Sequence, residues 1–390
     1  MEIEDLKVSV TSEVDAHRHQ LSELSLKIHS NPELGFQEFK AADWLSRYLE
    51  KNGFSVERSI CELATAFRAS YGKGKPAIAI LAEYDALPEI GHACGHNIIA
   101  TCAAGAAVAA KIAVDHFGGS ILVIGTPAEE LYGGKVKMAE KGAFNDLDIA
   151  MMAHPGTHDA ATTRALAVQT LSVEFFGKAA HAAARPETGI NALEAMLHSF
   201  AAINSLRQHI KSTARIHGII TDGGQAPNVV PAHSAGIFLV RAEENDYLDE
   251  LKQRVLNCFI GASTASGARL EYEWSDTRYA TMRNNLLLAR LFTKNMQSLG
   301  RRITLSDPRV SFGSTDMGNV SQIVPSIHPS VTIADRETII HTPQFALAAA
   351  SESGIRGMLD AAKALAMTVV DLLASAETIV KIKEEFEKGK

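Results

Sequence analysis

The residues of this chain best suited to chemistry are crowded into Glu83-Tyr84-Asp85-Ala86-Leu87-Pro88 and, just after it, Gly91-His92-Ala93-Cys94-Gly95-His96-Asn97. Carboxylates, a thiol and imidazoles gathered between an apolar run and a helical pattern are the donor types that bind divalent ions. Taken alone, the stretch also fits a buried cysteine and capping histidines in a turn. A second group, Thr126-Pro127-Ala128-Glu129-Glu130, follows another apolar run. Adjacent carboxylates there can diverge, one toward a metal and the other as base on a metal-activated water, or they can form a solvated first helical turn favoured by the helix dipole. His154 in Met151-Met152-Ala153-His154-Pro155-Gly156 and His341 in Ile339-Ile340-His341-Thr342-Pro343 repeat one design, a histidine that ends an apolar run before a proline. Singly, each is an ordinary loop histidine. Recurrence makes the site: Cys94, His96, Glu130, His154 and His341 are each expected at or near a strand end of one sheet, and with water they suit a pair of divalent ions. The thiolate points to zinc, with manganese as the alternative that carboxylate and imidazole allow.

Other chemistries find no support. Gly72-Lys73-Gly74 precedes its strand and reads as a turn, not a dinucleotide fingerprint, and neither a P-loop nor a nucleophile elbow occurs. A zinc dehydrogenase would need that fingerprint.

Positioning such a site requires strands whose carboxyl ends share one edge. At 390 residues the chain calls for two domains, or one large domain with an insertion. Helical spacing over 14–52, broken at Pro32 and Gly35, predicts two helices, the second from about Glu38. Apolar runs at 64–70, 77–81 and 120–126, with a helix over 97–116 before the last, predict parallel neighbours joined by a helical crossover. A second pattern starts near Thr170: strand 170–176, helix 189–210, strands 215–221 and 234–241, helix 246–260 and strand 269–274. That is the βαββαβ order of a split-βαβ sandwich, and it places an inserted domain at 168–280 between the two parts, 1–167 and 281–390, of a metal-binding domain. A helix over 282–299, a strand at 330–333 and a long helix over 344–374 complete the second part, and the Lys- and Glu-rich end is expected to fray.

Composition narrows the class. Apolar residues at 46% and charged residues at 21% are ordinary for a globular protein. A net charge of -7 with dispersed basic residues lacks the footprint of a nucleic-acid binder. No apolar stretch is expected to reach the roughly eighteen residues of a membrane span, and the Ala-rich run over 98–114, which contains Lys111, reads as a buried helix. Cys61, Cys94, Cys102 and Cys258 are too irregularly spaced for a disulfide framework. The first residues lack the basic start and apolar run of a secretory signal, so the expected location is cytoplasmic.

Together the motifs resemble the aminoacylase, desuccinylase and carboxypeptidase family of two-metal peptidases, and the stretch from Glu83 to Asn97 is most similar to its aminobenzoyl-glutamate hydrolase and cytosolic dipeptidase branch. The likeness covers nearly the whole chain, its motifs running in family order from Asp85 to His341. It implies an α/β fold: a zinc-peptidase-like catalytic domain with a mixed sheet covered by helices, plus an inserted ferredoxin-like βαββαβ lid and dimerisation domain. It further implies Cys94, His96, Glu130, His154 and His341 as ligands of two divalent ions, Glu129 as general base, and Asp85 behind a ligand, tuning it. In the wider family a histidine ligand stands where Glu83 is, and its loss is offset by Cys94 and His96. Gly177-Lys178-Ala179-Ala180-His181-Ala182 resembles the segment whose histidine reaches a partner subunit's active site and stabilises the oxyanion, which implies a homo-oligomer, dimer or tetramer. Gly223-Gly224 with Asn228, and then Arg241, resemble the positions that grip a substrate carboxylate. Without the resemblance, His181 reads as a histidine near a helix start and Arg241 as a strand-edge charge. Gly313-Ser314-Thr315-Asp316 resembles a loop near the site with a backbone role, and His92 has no assigned part.

The expected activity is therefore metal-dependent hydrolysis of amide bonds in N-acyl amino acids, dipeptides or aminobenzoyl-glutamate-like substrates with a free carboxylate, with no nucleic acid or membrane as partner. A peptidase for longer peptides and a catalytically silent binding protein of the same fold are the alternatives. An intact Glu129 and ligand set argue against the second.

Overall fold

Three helices open the chain, α1 (Ile3–Ala16), α2 (Arg18–His29) and α3 (Phe39–Lys51), in a computed structural model that describes residues 2–306 and 313–389. Leu6, Val10 and Val14 recur at one-turn spacing along α1 and are buried. Acidic residues at both ends of that stripe hide it in the sequence, where two helices were expected. Next come β1 (Ser55–Arg58), β2 (Phe67–Lys73), β3 (Ala77–Ala82), α4 (His96–Phe117), β4 (Gly119–Gly125), α5 (Glu129–Tyr132), α6 (Gly134–Glu140), β5 (Ile149–Met151) and β6 (His154–Gly156). The inserted region supplies β7 (Ala167–Phe176), α7 (Ala192–Leu206), β8 (Arg215–Asp222), β9 (His233–Ala242), α8 (Asn245–Ser266) and β10 (Arg269–Tyr279). The last stretch forms α9 (Leu286–Ser298), α10 (Met317–Ile323), β11 (Ser326–Ile327), β12 (Ser330–Thr332), α11 (Pro343–Ala349), α12 (Glu352–Leu373) and α13 (Ala376–Lys388).

These elements form two units: 2–164 with 282–306 and 315–389, and Ala165–Thr281 together with Gly313 and Ser314. The first holds a six-stranded sheet in the order β1-β2-β4-β3-β5-β11. Strand β3 runs parallel to β4 and β5, and β5 to β11, whereas β2 is antiparallel to β1 and β4, so the sheet is mixed. The carboxyl ends of β3, β4 and β5 therefore share one edge. Strand β3 is apolar throughout and buried along its whole length, the pattern of a strand covered on both faces.

Helix α4 covers that sheet and packs against α1, α2 and α12. It is long and apolar enough to cross a bilayer, contrary to the expectation from the sequence, yet 89% of its most apolar window is buried inside the protein. Its Ala-rich, all-round apolar surface is that of a central core helix. The helix expected over 344–374 is two helices, because Ser351 starts α12 by accepting the Gly354 N–H at 3.1 Å. The charged end does not fray: Ile379, Ile382 and Phe386 are buried along α13.

The second unit carries a four-stranded antiparallel sheet in the order β10-β7-β9-β8, covered by α7 and α8. Leu171, Phe175, Phe238, Val240, Leu251 and Phe259 fill its core. Burial alternates along β9, as expected for a strand with one covered face.

Candidate active site

At the shared edge of the first unit, each strand delivers its side chains through a short turn. Beyond β3 stand Glu83 and Asp85, both buried, and then the turn that carries Cys94 into the start of α4 at His96. Gly95 separates those two donors at φ +78°, and a Cβ on it would lie 2.5 Å from the Pro155 ring, so only glycine fits. Beyond β4, Ala128 at φ +59° turns the chain so that Glu129 and Glu130 begin α5.

Two expected placements differ. His154 was expected in the main sheet but opens β6, which pairs with β12 in a separate two-stranded sheet; Pro329, lacking an N–H, stands at the break between the two ladders. His341 lies in no strand. It sits at φ +67° before α11, and its N–H donates to the Ala93 carbonyl at 2.9 Å, which brings it to the Cys94 turn.

The side chains converge. Cys94 Sγ lies 3.4 Å from His154 Nε2, and His341 Nε2 lies 3.3 Å from Glu130 Oε1. His96 Nε2 is 3.5 Å from Glu83 Oε2 and 3.7 Å from Glu130 Oε1. Three donor sets each fall within 4.8 Å: Cys94 with His96 and His154, Cys94 with Glu130 and His341, and His96 with Glu129 and Glu130. Cys94 belongs to the first two. Asp85 sits behind them, its Oδ1 2.9 Å from His96 Nδ1 and its Oδ2 accepting the Glu130 N–H at 3.0 Å. His154 Nδ1 is likewise committed, 2.7 Å from the Pro155 carbonyl. Both rings thus turn Nε2 toward the other donors.

The electrostatics fit cations. His96 Nε2, Glu130 Oε1 and Glu83 Oε2 are buried and have no hydrogen-bond partner, a costly state for polar atoms that point at one another. Burial, with Glu130 beside it, holds the Cys94 thiol well above its usual range. Burial also raises Glu129 far above the ordinary carboxyl value, helped by Glu83, Asp316 and Glu130. Acidic groups crowded in this way, together with imidazole and thiol donors, are a suitable cradle for divalent ions.

Lys135 and His328 were not singled out by the sequence, and Asp316 and His92 take parts it did not assign. Lys135 is completely buried, its Nζ 2.5 Å from Glu83 Oε1 and 2.8 Å from Asp316 Oδ1, and its N–H donates to Asp316 Oδ2 at 2.9 Å. Asp316 therefore acts through its side chain, not through the backbone role expected for its loop. Glu83, Glu129 and Asp316 form a fourth acidic set within 4.8 Å. His328 is buried with its ring 5.4 Å from that of His154, and burial followed by His154 pushes it down to about 3, so it is neutral. His92 is buried 6.0 Å from the His29 ring and is pushed down to about 3 in the same way, by burial and then by His96. A buried lysine between glycine and valine has no local signature that could have announced it.

In the second unit, His181 and Asn228 are exposed and adjacent: His181 pairs with Val229, and Ala182 N–H donates to the Asn228 carbonyl at 3.0 Å. His181 Nδ1 accepts from the Ala183 and Ala184 N–H groups at 3.3 and 3.2 Å, which leaves Nε2 as the outward donor in the neutral ring. Arg241 on β9 reaches the Ser314 hydroxyl at 3.2 Å, while its Nε is buried without a partner.

Comparison with known proteins identifies the family. A peptidase dimerisation domain profile matches residues 168–260. The chain is 37% identical to the Xaa-Arg dipeptidase of Mus musculus over 402 residues, covering 99% of this chain and 93% of that enzyme. It is 29% identical to one of the chains of the p-aminobenzoyl-glutamate hydrolase of Escherichia coli (strain K12), covering 96% of this chain and 93% of that one. A crystal structure of a dinuclear metal-binding M20 peptidase from Bacillus subtilis superposes with a TM-score of 0.73 at 20% identity, covering 92% of this chain and 99% of that one, and shares the fold. The chain belongs to the M20 peptidase family and is a metal-dependent hydrolase of amide bonds.

Proposed function

We propose that this hydrolase cleaves small amides that bear a free carboxylate, dipeptides first among them, with two divalent ions held by Cys94, His96, Glu130, His154 and His341. The observation that carries the reading is the sharing of Cys94 between two donor sets, one completed by His96 and His154 and the other by Glu130 and His341. Each set would hold one ion, with Cys94 within reach of both. Thiolate and imidazole donors favour zinc, and manganese is the alternative. Bound there, the ions would polarise the amide carbonyl and make a water acidic near neutral pH.

The chain's own groups do the rest. Asp85 fixes His96 by its Nδ1 and Glu130 by its backbone N–H. Glu129 takes the proton of the attacking water on its carboxylate and returns it to the leaving nitrogen, a task its place beside His96 and Glu130 suits. His181 Nε2–H offers a donor for the oxyanion of a partner subunit, which requires at least a dimer. Arg241, with an unpartnered Nε, and Asn228 offer donors to the substrate carboxylate.

Dipeptides ending in arginine come first because the mouse relative, similar along nearly the whole chain, is an Xaa-Arg dipeptidase. The purified protein, loaded with zinc or manganese, should be assayed on Xaa-Arg dipeptides, other dipeptides, p-aminobenzoyl-glutamate, N-acetyl amino acids and a tripeptide. Chelator-sensitive turnover, fastest on a dipeptide, is expected. Preference for the tripeptide would favour the longer-peptide alternative, and turnover confined to N-acetyl amino acids would overturn the dipeptide assignment.

A further inference from the structure

We propose that Glu38 is a positioning residue for the turn that presents the proton carrier; the inference rests on the assignment of Glu129 as base. Glu38 lies in the connection before α3, ninety residues from that turn, and is completely buried. Its Oε1 accepts the Ala128 N–H at 2.8 Å, and its Oε2 accepts the Thr65 hydroxyl at 2.9 Å. Both partners are donors. A carboxylate can accept from each, whereas a glutamine would aim its NH2 group at one of them.

The turn needs such a clamp. Ala128 stands at φ +59°, a region that disfavours any residue with a Cβ and persists only where the surroundings enforce it. That conformation sets the direction in which Glu129 and Glu130 leave β4. The segment bearing Glu38 is shaped to reach it: a Cβ on Gly35 would lie 2.9 Å from the Ala128 Cβ, and the Phe36 ring stacks on Tyr132 of α5 at 5.5 Å. The same segment also braces the other catalytic turn, because the Glu33 carbonyl accepts the Ala86 N–H at 2.8 Å, next to Asp85. Glu33 is anchored in turn, its carboxylate accepting the Lys40 and Ala41 N–H groups at 2.9 and 3.0 Å where α3 begins. On the other side, Thr65 is held by the Tyr84 hydroxyl, which donates to its carbonyl at 2.6 Å. One connection, residues 33–38, thereby sets the spacing between the Asp85 turn and the Glu129 turn.

The test compares Glu38→Gln, Glu129→Gln and the double variant in the metal-loaded enzyme with a dipeptide substrate. Glu38→Gln should lower kcat by about 10- to 100-fold, the scale of a small misplacement of a catalytic group, with KM within about twofold and metal content unchanged. In the Glu129→Gln background it should change residual turnover by less than about twofold, since a residue acting through Glu129 has nothing left to act on. A kcat within twofold of the parent, or a loss that multiplies fully with that of Glu129→Gln, overturns the proposal. If Glu38→Gln does not fold, Thr65→Val, which removes one of the two donors, should lower kcat by about two- to fivefold at constant KM; an unchanged kcat overturns it. Near-parental turnover by Glu129→Gln alone would overturn the base assignment itself, and is recognisable because it arises without any change at Glu38.

Discussion

The strand ends of the first unit and the polar residues of the inserted unit follow opposite rules. At the strand ends the groups are buried and answer one another: Asp85 binds His96 and Glu130, and Lys135 lies between Glu83 and Asp316. In the inserted unit, His181 and Asn228 are exposed and held mainly by backbone contacts. Burial explains the difference. In a low-dielectric interior each charge requires a partner from the same chain, so the cluster is organised by folding, whereas exposed donors can wait for a substrate or a second protomer. Substitutions in the cluster should therefore disturb chemistry, metal or stability, and those in the inserted unit should change turnover alone.

The largest expected effect is on Glu129. Glu129→Gln should lower kcat about a thousandfold while elemental analysis still finds the metal content of the parent. Turnover close to normal with metals bound would remove the central group from the buried side of the contrast. Next is Lys135→Met, which strips Glu83 and Asp316 of their shared cation in a fully buried setting. Denaturant unfolding should show a loss of about 3–5 kcal/mol, the usual consequence of leaving buried charge unpaired. Unchanged stability would mean that the lysine does not offset the carboxylates.

His181→Ala should lower kcat about a hundredfold, as loss of an oxyanion donor does, with metal content and thermal midpoint unchanged. Mixing it with inactive Glu129→Gln protomers should restore part of the activity if His181 serves the partner. Failure of the mixture to recover, despite exchange of protomers, would show that it does not.

The smallest effect concerns pH and a buried carboxylate remote from the site. Asp148 accepts the Ala77 N–H at 2.6 Å and pairs with Lys75 and Lys383, and these partners outweigh burial to hold it below its usual 3.8. A depressed folded-state pKa contributes stability that is present above the unfolded value and lost as pH falls through the folded one. Thermal midpoints of Asp148→Asn and the parent should thus differ above about pH 4 and converge in stronger acid. A gap that persists unchanged at pH 2 would mean that the contribution is not ionic.

Much of the fold was legible because its signals are local. The βαββαβ order from β7 to β10 follows from alternation and helical spacing, and the mixed sheet of the first unit is the one the family resemblance implied. The misses are also local in origin: acidic residues masked α1, and a charged composition hid the buried stripe of α13. Within the site, Cys94, His96, Glu129 and Glu130 could be named because their spacing is short and their neighbours are distinctive. Lys135 and His328 could not, nor could the side-chain role of Asp316, since their meaning lies in partners far along the chain; Lys135 and Asp316 are 181 positions apart.

By itself, then, the sequence determined the donor types, their order and the alternation of elements that would carry them. Tertiary structure alone decided which donors meet: that Cys94 is common to two sets, that His341 arrives through the Ala93 carbonyl instead of on a strand, and that a lysine lies buried among the carboxylates. The physical reason is that periodicity and turn chemistry are properties of neighbouring residues, whereas convergence on a buried site is settled by packing and by the need to pair every charge removed from water.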